Sequence, residues 1–206
     1  MWQGPGMTSK ERVLAAIAHR RPDRTPIQTY LTPEIEQKLM DHFGLETPDA
    51  LLKRLGVDLR YVAPAYAGPM PPVPPGSQLA DEWGVGYVMF DHGHGGAYPE
   101  PNHLALAQID TMAQFEAYPW PEARNFAYDQ VPGQCAAYAA YAVCAGHAGM
   151  PDIVNGVSRG RGMERVLMDI MTEDPVGVAI IDKRCDFYFE YARRTLEAAH
   201  GGIDIL

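Results

Sequence analysis

Cysteine is scarce: three in 206 residues, Cys135, Cys144 and Cys185, an odd number without C-x-x-C spacing. That argues against a disulfide framework and for reduced, structural thiols in a cytoplasm. Long hydrophobic runs are missing too, the longest nearly uncharged apolar stretch (135–145) being about half of what a membrane-spanning helix needs. Basic charge is in deficit, with 17 lysines and arginines against 26 acidic residues and a formal net charge of −9. A nucleic-acid or anionic-membrane surface would need a basic stripe to exchange for bound counterions, so neither is expected. The N-terminus lacks the basic and apolar regions of a secretory signal, and residues 1–6 read as a disordered extension ahead of Met7. What remains is ordinary globular composition, 47% hydrophobic and 21% charged, in a chain long enough for one large domain with a small-molecule partner.

Punctuation marks the helices. Thr8 with Glu11 matches a capping box ahead of Val13, Leu14, Ile17 and Ala18, predicting a helix over 9–19. Thr32-Pro33 and Thr47-Pro48 are N-cap and first-turn proline, with Gly44 and Gly56 as stops, predicting helices over 33–43 and 48–55. Parallel strands are expected at 27–31, 59–63, 152–157 and 203–206, adjoining in that order. Between the second and third, six of the twelve residues 64–75 are proline, and 64–133 reads as an irregular insertion with a hairpin strand over 83–90 and one short helix over 111–118. An alanine-rich helix is expected to run to Gly146. Further helices are expected over 162–171 and 173–200, the latter from Val176, Ile180, Phe187, Tyr191 and Ala198 on one face. The alternation predicts an α/β fold with parallel strands. Four strands are half of an eight-stranded (β/α) barrel, which takes about 250 residues. The expectation is therefore the N-terminal half of such a barrel over 7–206, inactive and prone to associate if isolated.

The run from Thr8 to Pro26, with Arg12, His19, Pro22, Asp23, Arg24 and Pro26, resembles the opening of the uroporphyrinogen decarboxylase superfamily. The stretches Asp81-Glu82-Trp83-Gly84, Tyr118-Pro119-Trp120-Pro121, and Gly162-Met163-Glu164 with Asp174-Pro175 are similar to its uncharacterised and methyltransferase-like members. The resemblance implies a TIM barrel enzyme, a lyase or methyltransferase, with a tetrapyrrole, a corrinoid protein or another small molecule as partner, and a homodimer. The decarboxylase branch carries an arginine-rich segment after its first strand, where this chain reads Gln28-Thr29-Tyr30-Leu31-Thr32. It also carries a tyrosine after its third strand, where this chain reads Arg159-Gly160-Arg161-Gly162-Met163. Both departures favour the methyltransferase-like or an unassigned branch, and the zinc ligands of the methyltransferase branch would lie beyond residue 206.

Barrel active sites form at strand C-terminal ends. Tyr30, Gln28, Asn155, Arg159 and Arg161 are the nearest candidates: Tyr30 for catalysis, Gln28 and Asn155 for substrate contact, and the two arginines for a carboxylate or phosphate. A solvated loop whose arginines pair with surface carboxylates is the plainer alternative. His92 and His94, beside Asp91, form the one compact cluster of metal-ligand type, and a proton-transfer role is preferred to metal binding. Trp83, Tyr87, Tyr98 and Trp120 either stack on an aromatic substrate or form a satellite core. Two functions stand: methyl transfer or decarboxylation of a carboxylated substrate, or non-catalytic binding of a tetrapyrrole or partner protein on the same scaffold.

Overall fold

Short polar side chains start helices by accepting from the free N–H groups of the first turn. The computed structural model, which describes residues 6–93, 95–146 and 150–206, has this chemistry where the motifs put it. Glu11 N–H donates to Thr8 Oγ1 over 3.2 Å and Thr8 N–H to Glu11 Oε2 over 2.8 Å, so helix α1 is Ser9–Ile17. Helices α2 (Pro33–Phe43) and α3 (Pro48–Arg54) each begin on a proline, and Gly44 ends α2 at φ 64°. Strand β1 is Leu59–Val62. The described residues divide into two compact units, one from 6–63, 129–146 and 196–206, the other from 64–93, 95–128 and 150–195.

In the first unit, a turn after helix α5 (Val131–Ala137) leads into strand β5 (Ala142–Ala145), which pairs with β1 in parallel, Leu59 opposite Ala142 and Val62 opposite Ala145. The expected helix to Gly146 is thus corrected. Alanine favours helix intrinsically, but all four β5 residues are buried, as both faces of a central parallel strand must be. Ile205 forms a parallel bridge to Cys144, its N–H donating to Val143 O over 3.1 Å and its carbonyl accepting from Ala145 N–H over 2.9 Å. The Asp58 N–H donates to Ile27 O (2.8 Å) and its carbonyl accepts from Ala142 N–H (3.1 Å), so residue 27 and β5 both meet the start of β1. β5 therefore stands between β1 and residue 205. The third position belongs to 142–145, not 152–157, and 27–31 forms no ladder of its own. The fold is mixed α/β, and among the described residues the sheet does not close into a barrel. Val62, Val131, Cys135, Val143 and Ala199, with Ile203 against them, make the core of this unit.

An ion network ties α1 to β1. Arg12, 7% exposed, donates through Nε to Asp23 (2.6 Å) and through Nη1 to the fully buried Asp58 (2.6 Å). Arg24 reaches both Asp58 oxygens at 2.7 and 2.8 Å, and Ser9 Oγ and Ile27 N–H also donate to them. The bond from Arg12 holds the Asp23 carboxyl down at about 2. Burial would raise Asp58, but the bonds from Arg24, Ile27, Ser9 and Arg12 outweigh it and hold that carboxyl below its ordinary value. Groups depressed in the folded state stabilise it above their unfolded pKa of about 3.9 and lose that contribution as pH falls through the folded value. Stability should therefore decline as pH drops from about 4 toward about 2. Urea midpoints taken across that window test it, and a flat profile would remove the network from the stability of α1.

The second unit opens with the proline-rich segment, which has no continuous strand, and then forms an antiparallel sheet of β2 (Leu79–Ala80), β3 (Gly86–Asp91) and β4 (Ala97–His103) in that order. Helix α4 (Met112–Ala117) has a second capping box, Thr111 with Gln114. Three helices follow: α6 (Ile153–Arg161), α7 (Met163–Thr172) and α8 (Pro175–Ala199). Asp174 Oδ1 accepts from Val176 and Gly177 N–H at the start of α8, which runs on into the first unit after residue 195. The strand expected over 152–157 is the beginning of α6. Gly156 and Gly160 lie one turn apart, and a Cβ at Gly160 would stand 3.0 Å from Leu106 and 3.1 Å from Val85. Burial of that glycine face selects the helix despite the β-branched residues around it. Leu106, Ile109, Val157, Val166, Val176 and Ile180 form one core, and Trp83, Val85, Tyr87, Ala123 and Phe187 another.

Candidate functional site

In the first unit, the residues expected at the strand ends come partly together. Gln28 Nε2 donates to Thr29 O over 3.1 Å, and the pKa of Tyr61 is raised by partial burial and by the nearby Cys144, against the lowering effect of Gln28. Tyr30 is 81% exposed. Ala63 closes β1 through Gln134, its N–H donating to Oε1 (2.9 Å) and its carbonyl accepting from Nε2 (3.0 Å). Cys144 lies on β5 and not on a helix; burial, and secondarily Asp204, push its thiol up to about 11, which makes it a poor nucleophile.

In the second unit, Asp81-Glu82-Trp83-Gly84 forms a tight turn. Asp81 Oδ1 accepts from Trp83 N–H (3.0 Å) and Val85 N–H (2.9 Å), and Oδ2 accepts from the Tyr87 hydroxyl (2.7 Å). Gly84 has φ 80°, and a Cβ there would stand 2.7 Å from Tyr118 Oη, which donates to Trp83 O over 2.6 Å. Gly84→Ala should therefore cost about 1–3 kcal/mol, a fall in Tm of about 2–4 °C per kcal/mol for a chain of this size. An unchanged calorimetric Tm would show that the turn relaxes without cost.

That turn sets Trp83, 2% exposed, edge-on to Phe187 at 4.9 Å and beneath the guanidinium of Arg184 at 4.7 Å. Arg184, itself 7% exposed, also lies over Tyr188 at 5.2 Å and donates to its hydroxyl over 3.3 Å. Its Nε is buried without a partner. Glu82 is raised in pKa, first by burial and further by Asp81, with Arg184 opposing the shift. Burial raises Tyr188 too, and Arg184 again opposes. The turn thus gathers an arginine, a carboxyl and a phenol on an aromatic wall. Sequence reasoning did not single out Arg184, although the signal existed: it falls between Ile180 and Phe187 on the apolar stripe of α8, where a charge is out of place.

The remaining candidates separate. Asn155 and Arg159 lie exposed on α6, not at a strand end, and Arg159 reaches Asp152 at 3.4 Å. Arg161, expected beside a substrate, is built into the frame, with Nε on Asp169 (2.5 Å) and Nη1 on the carbonyls of Leu106 (3.2 Å) and Ile109 (2.8 Å). His92 is exposed at the β3–β4 turn, its N–H donating to Gly96 O over 3.2 Å, while His94 lies outside the described residues. Among the described residues no three His, Cys, Asp or Glu side chains converge as metal ligands, and no helix is long and apolar enough to cross a membrane. Trp83, Tyr87 and Trp120 belong to the core, as the satellite-core alternative has it, whereas Tyr98 is exposed against Phe90. A groove between Pro121–Arg124 and α8 is charged but self-neutralised, Glu122 pairing with Arg124 and Glu190 with Arg194.

Neither a protein-family model, nor a curated protein, nor a solved structure matches the chain.

Proposed function

We propose that this chain belongs to an enzyme of the uroporphyrinogen decarboxylase superfamily on a (β/α)-barrel frame, acting by corrinoid- or thiol-linked methyl transfer or by decarboxylation of a carboxylated substrate. One observation carries the reading: residues quoted for the resemblance are the joints of the fold. Arg12, Asp23 and Arg24 converge with Asp58 at the start of β1. A Cβ at Gly84 would stand 2.7 Å from Tyr118 Oη in the Asp81 turn, Trp120 packs against both Tyr118 (4.6 Å) and Trp83, and Asp174 starts α8. Such coincidence is expected of motifs kept for one architecture. The parallel β1–β5 pair, with α5 leading into β5, is compatible with a barrel.

Methyl transfer is the preferred branch, because 28–32 carries no arginine to hold a polycarboxylate tetrapyrrole. Gln28 and Tyr61 are the polar groups this chain offers at the strand end, where a hydroxyl and an amide orient a substrate. The described residues hold no zinc ligand set, so no step is assigned to zinc. The test is to assay the full-length gene product with methylcobalamin and a thiol acceptor, and separately with uroporphyrinogen for CO2 release. Methyl transfer is expected, and Gln28→Ala should lower kcat/KM by about tenfold or more if its contact positions the substrate. Absence of both reactions would overturn the enzyme reading, and saturable tetrapyrrole binding without turnover would replace it with the binding-protein reading.

A further inference from the structure

A guanidinium in an apolar, largely water-free setting is costly unless a counter-charge or full hydrogen bonding compensates it. Arg184 has neither. Among the described residues its hydrogen-bond partner is the Tyr188 hydroxyl at a long 3.3 Å, and Nε has none. The carboxylates nearby are otherwise engaged: Asp81 holds the turn and Tyr87, and Asp152 holds Arg159. Glu82 lies within the field of Arg184 without an ion pair to it. Packing fixes the group in place, since its Cζ lies over the rings of Trp83 and Tyr188 and a Cβ at Gly156 would stand 2.2 Å from Nη2. Glycine at 156 is thus a seat for the arginine. Asp152, Asn155, Gly156 and Arg159 follow one another at helical spacing on that face of α6, and Asn155 and Arg159 are exposed there.

We propose that Arg184 anchors a binding subsite for an organic monocarboxylate, held by the guanidinium beside Trp83 and Tyr188, with the Glu82 carboxylate as a competing charge nearby, and approached past Asn155 and Arg159. The charge balance selects the class. Arg159 is neutralised by Asp152, and Glu82 already lies in the field of Arg184, the one cation without an ion pair among the described residues of the cluster, so a phosphate dianion would meet more negative charge there than a single carboxylate does. The aromatic wall suits the apolar part of such a ligand. The subsite rests on Arg184 and its neighbours in the second unit, and stands whether or not the barrel reading holds.

The experiment follows the arginine side-chain Nε–H resonances of the full chain by NMR during titration with propionate and, in parallel, inorganic phosphate. Arg184→Lys assigns the resonance and tests the fork geometry. Propionate should shift the Arg184 signal saturably, and Arg184→Lys should weaken binding, read from the Trp83 indole signal, by about tenfold, as expected for loss of a charge-assisted contact. Glu82→Gln, which keeps a hydrogen-bonding group and removes the competing charge, should tighten it severalfold. An Arg184 signal that propionate does not move would overturn the proposal. Phosphate shifting the signal at lower concentration than propionate would overturn the carboxylate assignment, and weaker binding in Glu82→Gln would overturn the role given to Glu82.

Discussion

Asp58→Asn is expected to destabilise the first unit by about 3–5 kcal/mol, the usual cost of removing one member of a buried ion pair. The carboxylate is fully buried and accepts from Arg12, Arg24, Ser9 and the N–H of Ile27. Asparagine retains one acceptor oxygen but turns an NH2 group toward a cluster of donors. The two arginines would not respond alike. Arg24, with a side chain 40% exposed, can swing into water, and its share is small. Arg12, with a side chain 9% exposed, cannot, although Asp23 still holds part of its guanidinium. Urea unfolding read by far-UV circular dichroism would show the effect as a lower midpoint. A loss under about 1 kcal/mol would mean that the network is solvated and that Asp58 is an ordinary surface carboxylate.

Asp169→Ala should be comparably severe, again about 3–5 kcal/mol, because the Arg161 side chain is wholly buried and would keep only the two carbonyl bonds. The decisive comparison is the double variant Arg161→Met/Asp169→Leu. If the pair braces α6 against α7 and the 104–109 turn, replacing both charges with apolar side chains should recover most of the loss, since a buried pair gains little over packed hydrophobic groups. The close approach of Gly177, where a Cβ would stand 2.3 Å from Asp169 Cβ, limits that recovery by leaving little room for leucine. A double variant as unstable as Asp169→Ala would mean that these charges specify the local packing. A neutral Asp169→Ala would return Arg161 to the ligand-facing role expected for it from the sequence.

How far the sequence was legible varied with the range of the forces involved. Thr8 with Glu11 and Thr111 with Gln114 form capping boxes because the partners are three residues apart, and Pro33, Pro48, Gly44 and Gly56 act through their own backbone preferences. The short strand at 59–62 and the hairpin near 83–90 were legible from apolar residues bounded by turn residues. The interchange of strand and helix between 133–146 and 152–157 was not. Alanine prefers a helix by a few tenths of a kcal/mol per residue, and the burial of Ala142–Ala145 between β1 and Ile205 reverses that preference. Local content likewise favoured a strand at Ile153-Val154, and the seating of Gly156 and Gly160 against Arg184 and Leu106 makes it a helix.

The candidate site divides the same way. Glu82 and Trp83 could be marked in the sequence as part of a motif, and Arg159 as a cation among glycines. Arg184 stands about a hundred residues further along and joins them only when α8 packs against the Asp81 turn. By itself the sequence determined the starts of α1, α2 and α3, the stops of α2 and α3, the proline-bounded segment after β1 and the charge balance, because each depends on neighbours a few residues apart. The tertiary structure decided which of two ambiguous segments became the central strand, that Arg161 is a brace, and that Arg184 is a buried cation lacking a carboxylate partner among the described residues. Those outcomes turn on burial and charge pairing between distant segments, where several kcal/mol of desolvation outweigh the fractions of a kcal/mol in local preference.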